Sequence, residues 1–182
     1  AQDYVARFGF DADKHPPYLT MALGAGSVTP WQQLTGYAVF ANGGYRIQPY
    51  IVKQILDDKG NVLAEAQPVT AGDENLRVID PRNAYLMDSM MHDVVRRGTA
   101  TRALQLKRGD LAGKTGTTND FVDAWFCGYQ PTLVGVAWIG FDQPKKLGNG
   151  ETGGSAALPI WIGYMDKALK GVPESFMETP EG

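Results

Sequence analysis

The segment Ala112-Gly113-Lys114-Thr115-Gly116-Thr117-Thr118-Asn119-Asp120 sets one lysine, three threonines and two glycines in a stretch with almost nothing to bury. Threonine favours a strand, and glycine inside a strand marks a place where a ligand or a second backbone comes close. Lys114 offers a cation, the Thr115 and Thr117 hydroxyls can hydrogen-bond an anionic group, and backbone N–H groups can face a carbonyl oxygen. The chemistry is that of an anion- and oxyanion-binding edge. A plainer reading stands beside it: a polar edge strand whose lysine discourages aggregation. A third is nucleotide binding, because Gly113-Lys114-Thr115 ends like a phosphate-binding loop. That loop needs glycine at position 108, which is Arg108, and Gly109 comes one residue late. Gly116 to Asn119 is also a poor start for a phosphate-holding helix.

The other chemistry-bearing residues read more simply. His92 lies in a methionine-rich helix near its basic end with no nucleophile at helical spacing, and is expected at the surface or its boundary. His15, before Pro16, reads as a loop residue. Cys127, in Ala124-Trp125-Phe126-Cys127-Gly128-Tyr129, is expected to be a small buried hydrophobe. Asp120 and Asp123 read as turn residues rather than an acid/base pair. Trp125 and Trp138 read as core anchors, with Trp125 close enough in sequence to the lysine box to wall a cleft.

Composition narrows the frame. The 182 residues carry 17 Lys+Arg against 20 Asp+Glu, a net charge of −3, which excludes a basic nucleic-acid binder as the default. With 43% hydrophobic and 20% charged residues, one globular domain is expected. One cysteine and two distant histidines imply no disulfide scaffold, no metal site and no cofactor. No apolar run approaches the roughly 18 to 20 residues of a membrane span, and residues 1–11 have no signal-peptide pattern. The chain opens without Met among Tyr4, Val5, Phe8 and Phe10, and reads as part of a longer one.

The elements that must position the box follow from periodicity. Thr29 caps a helix begun by Pro30 and stopped by Gly43 or Gly44, with Leu34, Tyr37, Ala38 and Ala41 on its buried face. Residues 50–66 predict a β-hairpin turning at Asp57 to Asn61, and 67–76 a surface connection. Asp80 caps a second helix begun by Pro81 and closed by Arg96-Arg97-Gly98, with Ala84, Met87, Met91, Val94 and Val95 inward. Thr101 to Leu106 predicts a short helical piece. The run 133–141 is apolar at both parities, which predicts a strand covered on both faces. Pro159 begins a last helix with a stripe of Trp161, Tyr164, Met165, Ala168 and Leu169, and 173–182 is expected to fray. Short connections favour antiparallel neighbours, so the fold class is α+β: helices packed on an antiparallel sheet.

Lys114-Thr115-Gly116-Thr117 resembles the Lys-Thr-Gly box of the penicillin-recognising serine acyltransferases. FANGGYR, MDSMMHDVVRRGTATRA, LAGKTGTTNDFVDAWFCGY, VGVAWIGFDQP and ALPIWIGYM, in that order, resemble the C-terminal half of the transpeptidase domain of class A bifunctional penicillin-binding proteins. The resemblance implies a five-stranded antiparallel sheet flanked by helices, with the box on a strand lining the cleft. It implies that Lys114 organises charge and hydrogen bonds, that Thr115 and Thr117 bind the carboxylate of a D-Ala-D-Ala stem peptide or of a β-lactam, and that the Thr117 N–H is an oxyanion donor. Gly116 belongs to the same substrate-binding stretch, and Thr118 and Asn119 would shape its rim.

The family's nucleophile sits in Ser-x-x-Lys and its second motif is Ser-x-Asn. The serines here are Ser27, Ser89, Ser155 and Ser175, followed three places on by Pro30, His92, Leu158 and Glu178, and two places on by Thr29, Met91, Ala157 and Met177. The chain by itself is therefore expected to be inactive, since it supplies no recognisable nucleophile with its base. The parent is expected to be a membrane-anchored D,D-transpeptidase outside the cytoplasmic membrane that cross-links peptidoglycan. The alternatives are a D,D-carboxypeptidase or β-lactamase, and a non-catalytic binding or sensor module. Strands that await the missing half predict that the isolated chain oligomerises or pairs with another chain.

Overall fold

The structure is a computed structural model describing residues 1–182. Four α-helices, α1 (Gln2–Ala6), α2 (Pro30–Ala41), α3 (Pro81–Arg97) and α4 (Leu158–Ala168), accompany five strands, β1 (Gln54–Leu56), β2 (Val62–Glu65), β3 (Ala112–Thr117), β4 (Ala124–Gln130) and β5 (Leu133–Ile139). β1 and β2 form the expected hairpin, standing apart with every residue exposed. The main sheet has the order β3-β4-β5, antiparallel throughout, so this chain provides three strands where the resemblance implies five. No helix is long and apolar enough to cross a membrane.

The helix ends form as their residues dictate. The Thr29 hydroxyl accepts from Gln32 N–H while the Gln32 side chain accepts from Thr29 N–H, a reciprocal box with Pro30 at the first helical position. Asp80 accepts from Arg82 N–H at the start of α3, and Thr101–Leu106 is a short 3-10 helix. The α3 face carries Ala84, Met91 and Val95 as expected, but also buries Asp88 and His92. In α4 the buried stripe is Leu158, Trp161, Ile162, Met165 and, just past its end, Leu169, whereas Tyr164 and Ala168 face solvent. The stripe is rotated because Trp161 must reach the sheet.

Both faces of the sheet are used. On one, α2 and α3 bring Ala41, Met87, Met91 and Tyr37 against Ala112, Tyr129 and Val134. On the other, α4 and the 101–106 turn enclose Phe126, Ala124, Ala137, Leu111 and Trp161 in the larger core. Gly113, Gly128 and Gly135 stand in register across the three strands, and the Trp161 indole lies over Gly128 and Gly135. A Cβ built on Gly128 or Gly135 would stand 3.0 or 2.8 Å from that ring. The Trp161 N–H donates to Gly128 O at 3.3 Å. The central β4 is the most completely covered strand; β5 also packs on both faces as expected, with Leu133, Ala137 and Ile139 in the larger core and Val134 on the opposite face, while its Trp138 is 38% exposed.

The entry to β3 is tied down by buried polar groups. The fully buried Asp110 receives both arms of Arg108, at 2.9 and 2.7 Å, and the Ser175 N–H at 3.1 Å. Arg108 also donates to Val172 O and Pro173 O, and Gly109 N–H donates to Glu174. The buried Gln130 donates to the Ser175 hydroxyl. The tail expected to fray from residue 173 is thus held through Phe176, whose ring lies 6.3 Å from that of His92, to Thr179, whose hydroxyl donates to the Tyr85 hydroxyl at 3.2 Å. His92 itself is buried rather than superficial: its Nδ1 donates to Leu111 O at 2.9 Å, and Asp88, beside its Nε2, accepts from the Tyr129 hydroxyl. The sequence alone could not bring Leu111 and Tyr129 to that helix face.

Burial pushes the Asp110 carboxyl up, but the bonds from Arg108 and Ser175 outweigh it and hold the group below its ordinary value. A carboxyl lowered in the folded state stabilises the fold above its unfolded pKa, and that contribution is lost as pH falls through the folded value. Unfolding in denaturant followed by circular dichroism should show stability falling below about pH 4, with a smaller fall in Asp110→Asn. At pH 7, Asp110→Ala should cost about 3 kcal/mol by stranding the Arg108 charge. A second expectation concerns Gly153, where a Cβ would stand 2.3 Å from Trp125 O and 2.5 Å from Gly116 O. Both are backbone atoms of the sheet, so Gly153→Ala should destabilise by about 2 kcal/mol in the same assay.

Candidate functional site

β3 pairs with β4 on one side only, with Lys114 opposite Cys127, Gly116 opposite Trp125 and Thr117 opposite Ala124. In an antiparallel pair both backbone groups of a residue point to the same side, and successive residues alternate. Thr118 N–H turns to Asp123 O at 3.1 Å, toward the β4 side. The Thr115 carbonyl is instead reached from the open side by Lys114 Nζ at 3.0 Å. The backbone groups of Thr115 and Thr117 therefore face the open edge, where the Thr117 N–H is free to donate to a ligand.

The side chains are prepared for an anion. Thr117 Oγ1 accepts from Gly153 N–H at 3.0 Å, which uses a lone pair and leaves the hydroxyl proton to be donated outward. The Thr115 hydroxyl shares a 2.7 Å hydrogen bond with that of Thr99. When Thr99 donates in this bond, the Thr115 proton also turns outward. Lys114 is exposed, its charge held over the strand by its own backbone contact. Thr118 and Asn119 follow as exposed residues, Thr118 Oγ1 accepting from Asp123 N–H at 2.7 Å. Asp120 takes a left-handed φ of 58° in the turn, as its type allows.

A cavity of about 1020 Å³ opens beside the strand. Residues 114–119 form one wall, residues 23–30 with Gln33 and Tyr37 the other, and Trp125, Cys127 and Trp138 contribute between them. Burial pushes the Cys127 thiol up to about 12, so it is no nucleophile at neutral pH and behaves as the buried hydrophobe expected. Trp125 does wall the cleft. Trp138 was expected in the core and is at the cavity instead, because it stands opposite Trp125 on the cavity face of the sheet. His15 stands in a bend as expected, and is buried there: its Nδ1 donates to Asp11 O at 2.8 Å, and its ring rests against Gly26.

Sequence reasoning missed Thr99 and Gly153, which partner the two box hydroxyls from far along the chain. The Gly153-Gly154 pair ahead of a helix was a local signal of close backbone approach; nothing local marks Thr99. Gly153 opens a π-helical turn, Gly153–Ala157, capped by Thr152 and Ser155, that lays the start of α4 against β3 and β4. No group of three or more His, Cys, Asp or Glu side chains is placed to hold a metal ion.

Comparison with known proteins agrees with this arrangement. Residues 3–161 match the penicillin binding protein transpeptidase domain. The chain is 50% identical over its whole length to penicillin-binding protein 1A of Neisseria lactamica, of which it spans 23%. It is 41% identical to penicillin-binding protein 1A of Pseudomonas aeruginosa, of which it spans 28%. Among solved structures, penicillin-binding protein 1A of Haemophilus influenzae superposes with a TM-score of 0.91 at 34% identity, over 97% of this chain and 32% of that one. The penicillin-binding protein PonA1 of Mycobacterium tuberculosis gives 0.75 at 28%, over 94% of this chain and 47% of that one. The half-open sheet with its threonine-lined edge is thus a part of a known fold, and the chain belongs to the penicillin-binding protein transpeptidase family.

Proposed function

We propose that this chain supplies the anion- and oxyanion-binding edge of a serine D,D-transpeptidase that is acylated by β-lactams and cross-links peptidoglycan stem peptides. The observation that carries the reading is the open edge of β3, where the outward N–H of Thr117 and the donating hydroxyls of Thr115 and Thr117 converge beside a cationic lysine. The carboxylate of a terminal D-alanine, or of a β-lactam, accepts from those hydroxyls. The Thr117 N–H faces the oxygen that gains charge as the scissile carbonyl becomes tetrahedral, and Lys114 adds a positive field at the same place. Thr118 and Asn119 bound the rim, and Gly116 leaves the strand bare between the two threonines.

The nucleophile comes from outside this chain. A serine hydroxyl attacks the penultimate D-Ala carbonyl, the amide C–N bond breaks with release of D-alanine, and the amine of a second stem peptide displaces the serine to restore an amide. The missing groups belong to the segment that the relatives carry and this chain, spanning 23% of the Neisseria protein, does not. Exposed apolar side chains support a seat for it: Leu19 and Leu23 are 96% and 88% exposed, and Tyr18 and Trp31 are exposed as well. The parent is anchored to the membrane and works on its outer side, where peptidoglycan lies. The carboxypeptidase, β-lactamase and sensor alternatives have no observation in their favour.

Intact-mass analysis after incubation with a penicillin should show the drug's mass on the upstream part of the full-length protein and none on residues 1–182; an adduct on this chain overturns the reading. In the full-length protein, Lys114→Ala should slow penicillin acylation by roughly a hundredfold or more while leaving the melting temperature within a degree or two, because an exposed lysine contributes little packing. Residues 1–182 alone should self-associate in light scattering at micromolar concentration. A sharp monomer with a cooperative melt would refute the proposed seat for an upstream partner.

A further inference from the structure

The two hydroxyls of the lysine box are held in different ways. Thr115 and Thr117 stand two residues apart on β3 and share the face of the sheet that carries Phe126 and Ala124. On that face Thr117 Oγ1 accepts from Gly153 N–H at 3.0 Å, and Thr115 Oγ1 lies 2.7 Å from Thr99 Oγ1. A backbone N–H only donates, so the Thr117 proton is always free for a ligand. A hydroxyl donates or accepts, so the direction of the Thr115 proton depends on Thr99.

Thr99 is fixed more closely than an exposed threonine between a helix and a turn requires. Before it, Gly98 lies against the last turn of α3, where an added Cβ would stand 2.8 Å from Val94 Cα and 2.9 Å from Val94 O. After it, Ala100 is fully buried and its N–H donates to that same carbonyl at 3.0 Å. Thr99 O is itself approached by Gly154, where a Cβ would stand 3.1 Å away. The backbone is thus held before, at and after Thr99, while its side chain stays exposed. The hydroxyl caps no helix, since the 3-10 turn that follows has no side-chain cap, and its one hydrogen bond is to Thr115.

We propose that Thr99 is a positioning residue for the carboxylate of the peptide donor, making the Thr115 hydroxyl a directed donor. The inference rests on the reading of Thr115 and Thr117 as the carboxylate site. With Thr99 donating to Thr115, the Thr115 proton points to the ligand; with the roles reversed, Thr115 presents lone pairs, which repel an anion. A carboxylate therefore selects the first arrangement, and the two bonds of the chain from Thr99 through Thr115 to the carboxylate polarise each other. Thr99 acts without touching the substrate. It strengthens the preference of the site for a charged terminus over a neutral ester, which is the weaker acceptor.

The experiment uses the full-length protein with benzylpenicillin and its methyl ester, reading the second-order rate constant of acylation by intact mass. The wild type should favour the free acid by about tenfold or more. Thr99→Val, which removes the hydroxyl at nearly constant shape, should lower the acid-over-ester ratio by about three- to tenfold. Thr99→Ser, which keeps the hydroxyl, should hold the ratio within about twofold of the wild type. In a Thr115→Val background, Thr99→Val should have no further effect on the ratio, because its action passes through Thr115. An unchanged ratio in Thr99→Val overturns the proposal, since a merely structural residue slows both compounds alike. A loss in Thr99→Ser equal to that in Thr99→Val overturns it, as does a further fall in the Thr115→Val background. If Thr99→Val does not fold, Thr99→Ala decides in the same comparison, with the same fall expected and an unaltered ratio again overturning the role. A wild-type ratio near one would instead overturn the carboxylate-site reading on which the inference rests.

Discussion

The structure depends on one constraint: the strand that carries the chemistry is bonded to the sheet along only one side, and must nonetheless hold its donors still. β3 meets this by being fixed at its entry. The Asp110 carboxylate, fully buried between the Arg108 guanidinium and the Ser175 N–H, holds the chain before Ala112, and His92 takes the Leu111 carbonyl from the facing helix. Buried charges are tolerated only when they are paired and hydrogen-bonded, and such groups specify a geometry more than they add stability. Here the geometry specified is the position of the strand two residues before Lys114.

The open side of β3 is what that anchoring preserves. An unpaired edge is a liability in a folded protein because its N–H and C=O groups invite another strand. In this chain the same groups, with a lysine that deters strand pairing, form the surface proposed to hold a carboxylate and a developing oxyanion. The polar-edge reading and the functional reading of the lysine box are therefore not exclusive. One exposed cation can serve both, discouraging aggregation and, in the proposed role, attracting an anionic peptide terminus.

Glycines carry much of the fine geometry. Gly128 and Gly135, side by side on β4 and β5, let Trp161 lie on the sheet, which in turn sets the rotation of α4 and hence the exposure of Tyr164. Gly153 lets the turn before α4 approach the carbonyls of Gly116 and Trp125, and from there its N–H reaches Thr117. A helix on the far face of the sheet thus polarises a hydroxyl at the edge. Core packing and site chemistry share the same atoms.

The helix starts at Thr29-Pro30 and Asp80-Pro81, the hairpin within 50–66, the strand nature of the box and the burial of Cys127 were all legible in the residues, because each depends on a cap, a turn or a local period. The lysine box and the order of the surrounding blocks also revealed the family. What the sequence could not reveal depends on which elements become neighbours. The register that sets Trp138 opposite Trp125 put it at the cavity rather than in the core; the docking of residues 173–176 depends on Asp110 and Gln130, more than 40 residues away in sequence; and the burial of Asp88 and His92 requires Tyr129 on β4 and Leu111 at the entry to β3. The sequence by itself determined which segments are helix or strand and which residues are candidates for the chemistry, since those follow from short-range sterics and side-chain type. Only the tertiary structure decided which hydroxyls and N–H groups point outward and which polar groups are buried, because hydrogen-bond direction and burial are properties of contacts between segments that have no short-range signature.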